Sequence, residues 1–168
     1  MIDTALVLVD FQEERTDPDS EYYLWNISPT IQKVNFLIDY CRSREYKIIF
    51  TKHNEPGSIK DFWLNSRLIP EIKYQEWDIV VTKNKISPFY QTNLEEILQD
   101  TKKVIVCWIL TNLCVRSFIE WAYDRDFHII MIKDCCIAQR PELHNFTIQD
   151  LQETRDEVEF LNLEDLVE

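Results

Sequence analysis

Short apolar runs recur along this chain, and amphipathic stretches separate most of them. A continuous apolar run with almost no polar residue inside it is typical of a strand that is buried on both faces. Six such runs predict six strands: Ala5–Val9, Ile48–Phe50, Ile79–Val81, Val104–Ile109, Ile129–Ile132 and Val158–Leu161. Buried strands of this kind pair in parallel, so the pattern constrains the fold before any single motif is considered.

The stretches between these runs have helical periodicity. Ser28 and Pro29 are typical of a helix start, and apolar residues follow at helical spacing up to Cys41. Strands that alternate with helices form βαβ units, whose right-handed crossovers place helices on both faces of a sheet. We therefore predict an α/β fold: a three-layer α/β/α, doubly wound, mostly parallel sheet of about six strands. The 168 residues predict one domain over 1–168.

Composition narrows the function classes. The net charge of −12 argues against nucleic acid and anionic membranes as partners. The Met1 end lacks the pattern of a signal peptide, so we expect a cytoplasmic protein. Five cysteines without paired spacing argue against a disulfide framework and a structural zinc site. Gly57 is the only glycine, so tight turns are expected to use Asn, Asp and Ser.

Reactive residue types follow three of the predicted strands. In an open parallel sheet the ligand crevice lies beyond the carboxyl ends of the strands. Asp10 ends the first strand, Lys83 ends the third, and Cys114 follows the fourth at a predicted helix start. A carboxylate, an ammonium and a thiol are therefore expected at one edge of the sheet.

These three residue types suit acyl transfer through a thioester. Cysteine attacks as thiolate, and a helix N-terminus and a nearby ammonium both favour that anion. A carboxylate can take the thiol proton and later pass it to a leaving amine, while backbone N–H groups hold the oxyanion. From position alone, each residue also has a purely structural explanation: a loop cap for Asp10, a solvated charge for Lys83 and packing for Cys114.

The same residues carry a family resemblance over about residues 4–163. The chain resembles the isochorismatase-like cysteine hydrolases, a family that includes nicotinamidases, carbamoylsarcosine amidases and ureidoacrylate amidases. Matching segments occur in the expected order: Ala5–Gln12, Ile69–Ile72, Val80–Lys83, Ser87–Phe89, Thr92–Leu94, Thr111–Val115 and Asp134.

The resemblance implies a role for each residue. It implies a catalytic triad of Asp10, Lys83 and Cys114 that hydrolyses a C–N bond in a small amide. It also implies a cis peptide between Ile109 and Leu110, with the N–H groups of Leu110 and Cys114 as the oxyanion hole. It further implies a small-molecule substrate and a homo-oligomer, a dimer or larger.

Other expectations concern the pocket and its contents. We expect Phe11, Phe89 and Trp108 to form pocket walls, with the core as the alternative location for each. Trp108 stands where the family usually has glycine. No cofactor is expected, and no metal, because Lys52-His53-Asn54 lacks the Asp-x-His metal motif of nicotinamidases.

Two other functions stay open. One is a non-catalytic family member that binds a small molecule or a protein, which Trp108 favours. The other is a hydrolase of a vinyl ether such as isochorismate, a reaction that does not need the thiol.

Overall fold

The computed structural model describes residues 3–20, 22–54 and 67–168. It contains one six-stranded sheet in the order β3-β2-β1-β4-β5-β6, and every strand pair is parallel. The strands are β1 Thr4–Val9, β2 Lys47–His53, β3 Ile79–Lys83, β4 Lys103–Ile109, β5 His128–Ile137 and β6 Glu159–Leu161. The predicted fold class and all six predicted strands are confirmed.

Helices follow the strands in the chain. They are α1 Ser28–Ser43, α2 Leu94–Ile97, α3 Arg116–Tyr123, α4 Pro141–Thr154 and α5 Leu163–Val167. From β1 the strand order steps one way to β2 and β3 and the opposite way to β4, β5 and β6. Right-handed crossovers in opposite directions place α1 on one face of the sheet and α3 and α4 on the other.

The core lies between these layers, and β1 is its centre. All six residues of β1 are buried, because the strand pairs with β2 on one side and β4 on the other. The α1 side chains Ile31, Val34 and Leu37 pack into the same core. A central strand fixed in this way holds the residue that follows it, Asp10, in a defined place.

Three local features depart from the sequence pattern. Thr92 and Glu95 have the spacing of a capping box, but Thr92 Oγ1 instead accepts the Leu94 N–H at 3.2 Å and donates to the Pro88 carbonyl. The strand β5 extends beyond its apolar run, through Asp134 to Ile137. Within residues 57–77, where the sequence would allow a short helical piece, residues 57–66 lie outside the described residues, and residues 67–77 contain one isolated bridge, from Leu68 to Gln12.

Turns in this glycine-poor chain place other residues at positive φ. Asn26 and Asp126 have φ values of 56° and 59°, as expected for residue types that tolerate this region. Glu45 and Gln91 also adopt it, at 59° and 52°, although their residue types are less suited to it. Residues with longer side chains therefore adopt some of the positive φ values that glycine would otherwise adopt in these turns.

Candidate active site

Asp10 follows β1 in a left-handed conformation, with φ of 57°, and its side chain is buried. Three hydrogen bonds with Thr51 of β2 hold it. The Asp10 N–H donates to the carbonyl and to Oγ1 of Thr51, both at 3.1 Å, and Thr51 Oγ1 donates to Asp10 Oδ1 at 2.9 Å. The second carboxylate oxygen, Oδ2, faces Lys83 at 3.0 Å. Neighbouring strands therefore fix both oxygens of this carboxylate.

Lys83 is the last residue of β3 and is only 1% exposed. Its Nζ lies 3.0 Å from Asp10 Oδ2, 2.9 Å from His53 Nδ1 and 3.3 Å from Cys114 Sγ. It also donates to the Lys85 carbonyl at 3.2 Å. An ammonium has donors only, so His53 Nδ1 is the acceptor in this contact when Lys83 is charged.

The charge of Lys83 is maintained in spite of burial. Burial by itself lowers the pKa of Lys83, but the negative charge of Asp10 and the hydrogen bonds to Asp10 and Cys114 outweigh it. The net direction is a raised pKa, so the group is an ammonium at neutral pH. A buried charge with this many acceptors is a fixed feature of the site rather than a solvated surface charge.

Cys114 lies in a π-helical turn, Thr111–Val115, that connects β4 to α3. The peptide between Ile109 and Leu110, directly before this turn, is cis. Cys114 is half-buried, whereas the other four cysteines are buried, and all five are free thiols. The structure therefore brings Asp10, Lys83 and Cys114 together at the carboxyl edge of the sheet.

The protonation state of Cys114 differs from the expectation of a lowered pKa. Burial, followed by the adjacent Asp10 carboxylate, raises the pKa of Cys114 to about 12, and Lys83 offsets only part of this. The Asp10–Lys83 ion pair already uses much of the ammonium's field. The resting group is thus a thiol hydrogen-bonded to Asp10, and that carboxylate is placed to take its proton.

A cavity of about 380 Å³ opens beside Cys114. This volume suits a small molecule. Its wall is formed by Asp10, Arg15, Tyr22, Leu24, His53, Ile86, Leu110, Leu113, Cys114 and Gln139. Two larger clefts, of about 730 and 810 Å³, lie along α1 and contain none of Asp10, Lys83 and Cys114. The smaller cavity is the candidate active site because the reactive groups converge there.

The aromatic residues expected in the pocket wall do not line this cavity. Phe11 and Trp108 are fully buried and stacked, with ring centroids 4.0 Å apart. Phe89 stacks on Phe118 in the core at 5.5 Å. The expectation of an aromatic wall is corrected, because these rings turn toward the sheet and helices. Leu24, Ile86, Leu110 and Leu113 supply apolar wall instead.

Sequence reasoning missed Arg15, Tyr22, His53 and Gln139. His53 had a usable signal, since it is the last residue of β2 and pairs in register with Lys83. Arg15 lies in a 3-10 turn, Glu13–Arg15, which no periodicity marks. Gln139 lies in the connection between β5 and α4, and no sequence motif places this connection near Cys114.

Asp10, His53 and Cys114 each offer one donor atom, and these atoms lie within 4.8 Å of one another. Carboxylate, imidazole and thiolate are ligands that zinc accepts. The Lys83 ammonium, however, lies within 3.3 Å of a donor atom on each of the three. A metal ion between them would meet this cation directly. As arranged, these residues do not fit a metal, and none enters the chemistry considered below.

The parallel sheet and the Asp–Lys–Cys cluster define an α/β protein with a candidate cysteine-hydrolase site, and the comparisons with known proteins give the family. The isochorismatase domain profile matches residues 4–159. The chain belongs to the isochorismatase family. In the described part of the chain, no helix has the length and apolarity that a bilayer crossing requires.

Individual relatives agree with this assignment. The chain is 28% identical over 165 residues to Nicotinamidase 3 of Arabidopsis thaliana, covering 88% of this chain and 79% of the relative. An isochorismatase-like hydrolase from Alkaliphilus metalliredigens superposes with a TM-score of 0.86 at 20% identity, over 98% and 97% of the two chains. The pyrazinamidase of Pyrococcus horikoshii, solved in complex with zinc, has a TM-score of 0.79 at 19% identity, over 95% and 99%.

Proposed function

We propose that this protein hydrolyses the C–N bond of a small amide, with Asp10, Lys83 and Cys114 as its catalytic residues. One observation carries the proposal: the Lys83 ammonium lies 3.0 Å from the Asp10 carboxylate and 3.3 Å from Cys114 Sγ, at the wall of a cavity of small-molecule size. Similarity to a nicotinamidase, whose name denotes an amide substrate, supports it.

The first half-reaction forms a thioester. Asp10 takes the thiol proton as Cys114 Sγ attacks the carbonyl carbon, and the carbonyl oxygen becomes an oxyanion. The N–H groups of Leu110 and Cys114 are the proposed donors to that oxyanion. Asp10 then gives its proton to the leaving nitrogen, the C–N bond breaks and the amine or ammonia departs.

The second half-reaction uses water. Asp10 takes a proton from a water molecule as its oxygen attacks the thioester carbon, and the C–S bond breaks. Asp10 then gives this proton to the Cys114 sulfur, and the acid product leaves. Lys83 holds Asp10 in place and stabilises the negative charge that develops on sulfur in both halves, since its ammonium contacts both groups.

The raised pKa of Cys114 shapes this mechanism. Because the resting group is a thiol, the proton must leave during attack, and Asp10 is the base in contact with it. The enzyme therefore depends on Asp10 as much as on the thiol. A preformed thiolate is not part of the proposed resting state.

The observation that favoured a non-catalytic protein does not support one. Trp108 in place of glycine suggested a filled pocket, but its ring stacks on Phe11 in the core and does not line the cavity. The single domain, the homo-oligomer and the lack of a nucleic-acid partner stay predictions.

A panel of small amides tests the proposal. Wild-type protein should release ammonia from at least one of them, and mass spectrometry after rapid acid quenching should find the acyl group on Cys114. Cys114→Ala should lose at least about 10⁴-fold in kcat. Cys41→Ala, which removes a buried thiol of α1, should keep the activity per folded molecule.

The opposite results separate the alternatives. Turnover of isochorismate that survives Cys114→Ala would favour the ether hydrolase. No ammonia from any amide, together with no acyl group on Cys114, would overturn the proposal.

A further inference from the structure

Arg15 is a buried cation in the wall of the candidate active site. It ends the 3-10 turn between β1 and α1 and lines the same cavity as Asp10 and Cys114. Its relative exposure is only 9%. A guanidinium is rarely this buried unless it is paired, so its position in the wall is a defined one.

Several contacts hold Arg15 in place. Its N–H donates to the Gln12 carbonyl at 3.2 Å, and its own carbonyl accepts the Leu24 N–H at 3.0 Å. Nη1 donates to the Tyr22 carbonyl at 3.4 Å, and Cζ lies 5.3 Å from the centroid of the Tyr22 ring. Because Tyr22 and Leu24 also line the cavity, the guanidinium is positioned by the wall itself.

The charge distribution around the cavity is uneven. The whole chain carries a net charge of −12, yet Arg15 is the one Lys or Arg among the described residues that line this cavity. Lys83 lies behind the wall, where Asp10, His53, Lys85 and Cys114 surround its three N–H donors. Arg15 is therefore the cation that lines the cavity.

The rest of the wall suggests the size and shape of that ligand. Leu24, Ile86 and Leu113 provide apolar surface, which suits a short carbon chain or ring. A guanidinium offers five N–H donors in a planar fork, which matches the two oxygens of a carboxylate. A ligand that spans Cys114 and Arg15 would then have an amide at one end and an anion at the other.

We propose that Arg15 selects amide substrates that carry a carboxylate. This inference rests on the proposed amide hydrolysis, since it names the substrate class of the same site. Arg15 binds the carboxylate, the apolar wall contacts the spacer, and the amide carbon is held at Cys114 Sγ. Neutral amides of the same length bind more weakly.

The test compares two alkylating reagents that differ only in charge. Iodoacetate and iodoacetamide both form a Sγ–CH₂ bond at Cys114, release iodide and lose the thiol proton to the base, but only iodoacetate carries a carboxylate. The readout is the ratio of the two alkylation rates at Cys114, measured by peptide mass spectrometry. Because it is a ratio, a general change in thiol reactivity cancels.

Arg15→Gln should lower the iodoacetate-to-iodoacetamide ratio about 10-fold or more, since a hydrogen bond to a charged group is lost. Arg15→Lys should recover part of the ratio because it keeps the cation. Arg44→Gln is the matched control: this arginine stacks over Tyr40 at the end of α1, and its loss should leave the ratio unchanged. Equal ratios in wild type and Arg15→Gln would overturn the inference.

A second measurement needs no variant, in case Arg15→Gln does not fold. Succinamate has an amide and a carboxylate, and pentanamide has the same chain length without the charge. Succinamate should protect wild-type Cys114 from iodoacetamide at concentrations at least about 10-fold lower than pentanamide. Equal protection would overturn the substrate class while turnover of neutral amides left the proposed function standing. Failure of every amide in the turnover panel would overturn both.

Discussion

Two side-chain clusters lie next to each other at the carboxyl ends of β1 and β4, and one is polar whereas the other is aromatic. Asp10, Lys83 and Cys114 form a polar cluster that hydrogen bonds and an ion pair join together. Phe11 and Trp108 form an aromatic stack whose ring centroids are 4.0 Å apart. Asp10 and Phe11 are consecutive residues, yet one belongs to the cluster and the other to the core.

The two groups also differ in how they affect stability. Burying ions is unfavourable unless each has a partner, so the polar cluster contributes little to the free energy of unfolding and can lower it. The aromatic stack buries large apolar area and stabilises the fold. Even so, Trp108 has φ of 103°, a region that favours glycine, and its buried Nε1 has no hydrogen-bond partner among the described residues. At this edge of the sheet, the polar cluster thus supplies the reactive groups, and the adjacent Phe11–Trp108 stack stabilises the fold.

Among these substitutions, Lys83→Met should have the largest effect on both the stability and the activity of the protein. It leaves the Asp10 carboxylate buried without its ammonium, and losing one partner of a buried pair costs about 3–5 kcal/mol of unfolding free energy. Amide turnover should fall at least about 10³-fold, because the cation that stabilises charge on sulfur is gone. Urea denaturation and ammonia release measure the two effects.

A surface lysine provides the control for this substitution. Lys73 forms an ion pair with Asp39, and both side chains are about half exposed. Lys73→Met should change the unfolding free energy by less than about 1 kcal/mol and leave activity unchanged. If Lys83→Met proved as stable and as active as Lys73→Met, the polar cluster would be neither a liability to the fold nor a catalytic centre.

Trp108→Gly tests the contribution of the aromatic stack to stability. Removing a buried Trp side chain costs about 3–5 kcal/mol, whereas glycine relieves about 1–3 kcal/mol of backbone strain. The expected net loss of unfolding free energy is about 2 kcal/mol, within a range of about 0–4 kcal/mol. Turnover per folded molecule should stay within about two-fold, because Trp108 does not line the cavity.

Trp108→Ala separates strain from packing. It creates a similar void but keeps a Cβ at the same φ, so it should be less stable than Trp108→Gly by about 1–3 kcal/mol. An alanine variant as stable as the glycine variant would show that the backbone at this position is not strained. Thermal and urea unfolding of the two variants in parallel decide the point.

The Trp108 side chain shows where sequence reasoning reaches its limit. Apolar runs such as Ala5–Val9 predicted the strands, because a strand buried on both faces has few alternatives. The strand ends predicted the meeting of Asp10 and Lys83, because parallel strands end at one edge. The direction of Trp108 depends instead on a backbone turn at the end of β4, and hydrophobic periodicity carries no information about it.

The electrostatic state of the site was equally beyond the sequence. The sequence places Cys114 at a predicted helix start after the fourth strand. A helix start favours the thiolate and therefore predicts a lowered pKa for Cys114. The actual direction depends on how deeply Cys114 is buried and on the carboxylate beside it, both of which raise its pKa. Arg15 shows the same limit, since loop residues reach the cavity only through the folded path of the chain.

The pH dependence of stability should reflect this raised pKa. The Cys114 pKa is about 12 in the fold against a reference of 9.0, so the folded state holds a proton that the unfolded chain releases. Its stabilising contribution is complete below about pH 9 and is lost as pH rises toward 12, at about 1.4 kcal/mol per pH unit for one proton. Cys114→Ser should reduce the slope of unfolding free energy against pH by up to about this amount.

Other groups titrate in the same pH range, but they do not affect the difference in slope between wild type and Cys114→Ser. Burial also raises the pKa values of Cys41 and Cys136 to about 12, and both residues are present in wild type and in Cys114→Ser. Urea denaturation of both proteins between pH 8 and 11 measures the two slopes. Identical slopes would mean that the Cys114 thiol ionises as easily in the fold as in the unfolded chain.

The smallest expected effect tests how the polar cluster is held. Thr51 is buried, and its Oγ1 donates to Asp10 Oδ1 at 2.9 Å. Thr51→Val replaces the hydroxyl with a methyl group of similar size and should lower the unfolding free energy by about 1 kcal/mol. The carboxylate loses its hydrogen bond from β2 and keeps its contacts with Lys83 and Cys114, so kcat should fall about three- to ten-fold with KM nearly unchanged. The matched control is Thr101→Val, because the Thr101 hydroxyl is buried without a hydrogen-bond partner in the described part of the chain. Equal kcat values for the two variants would show that Lys83 alone is sufficient to position Asp10.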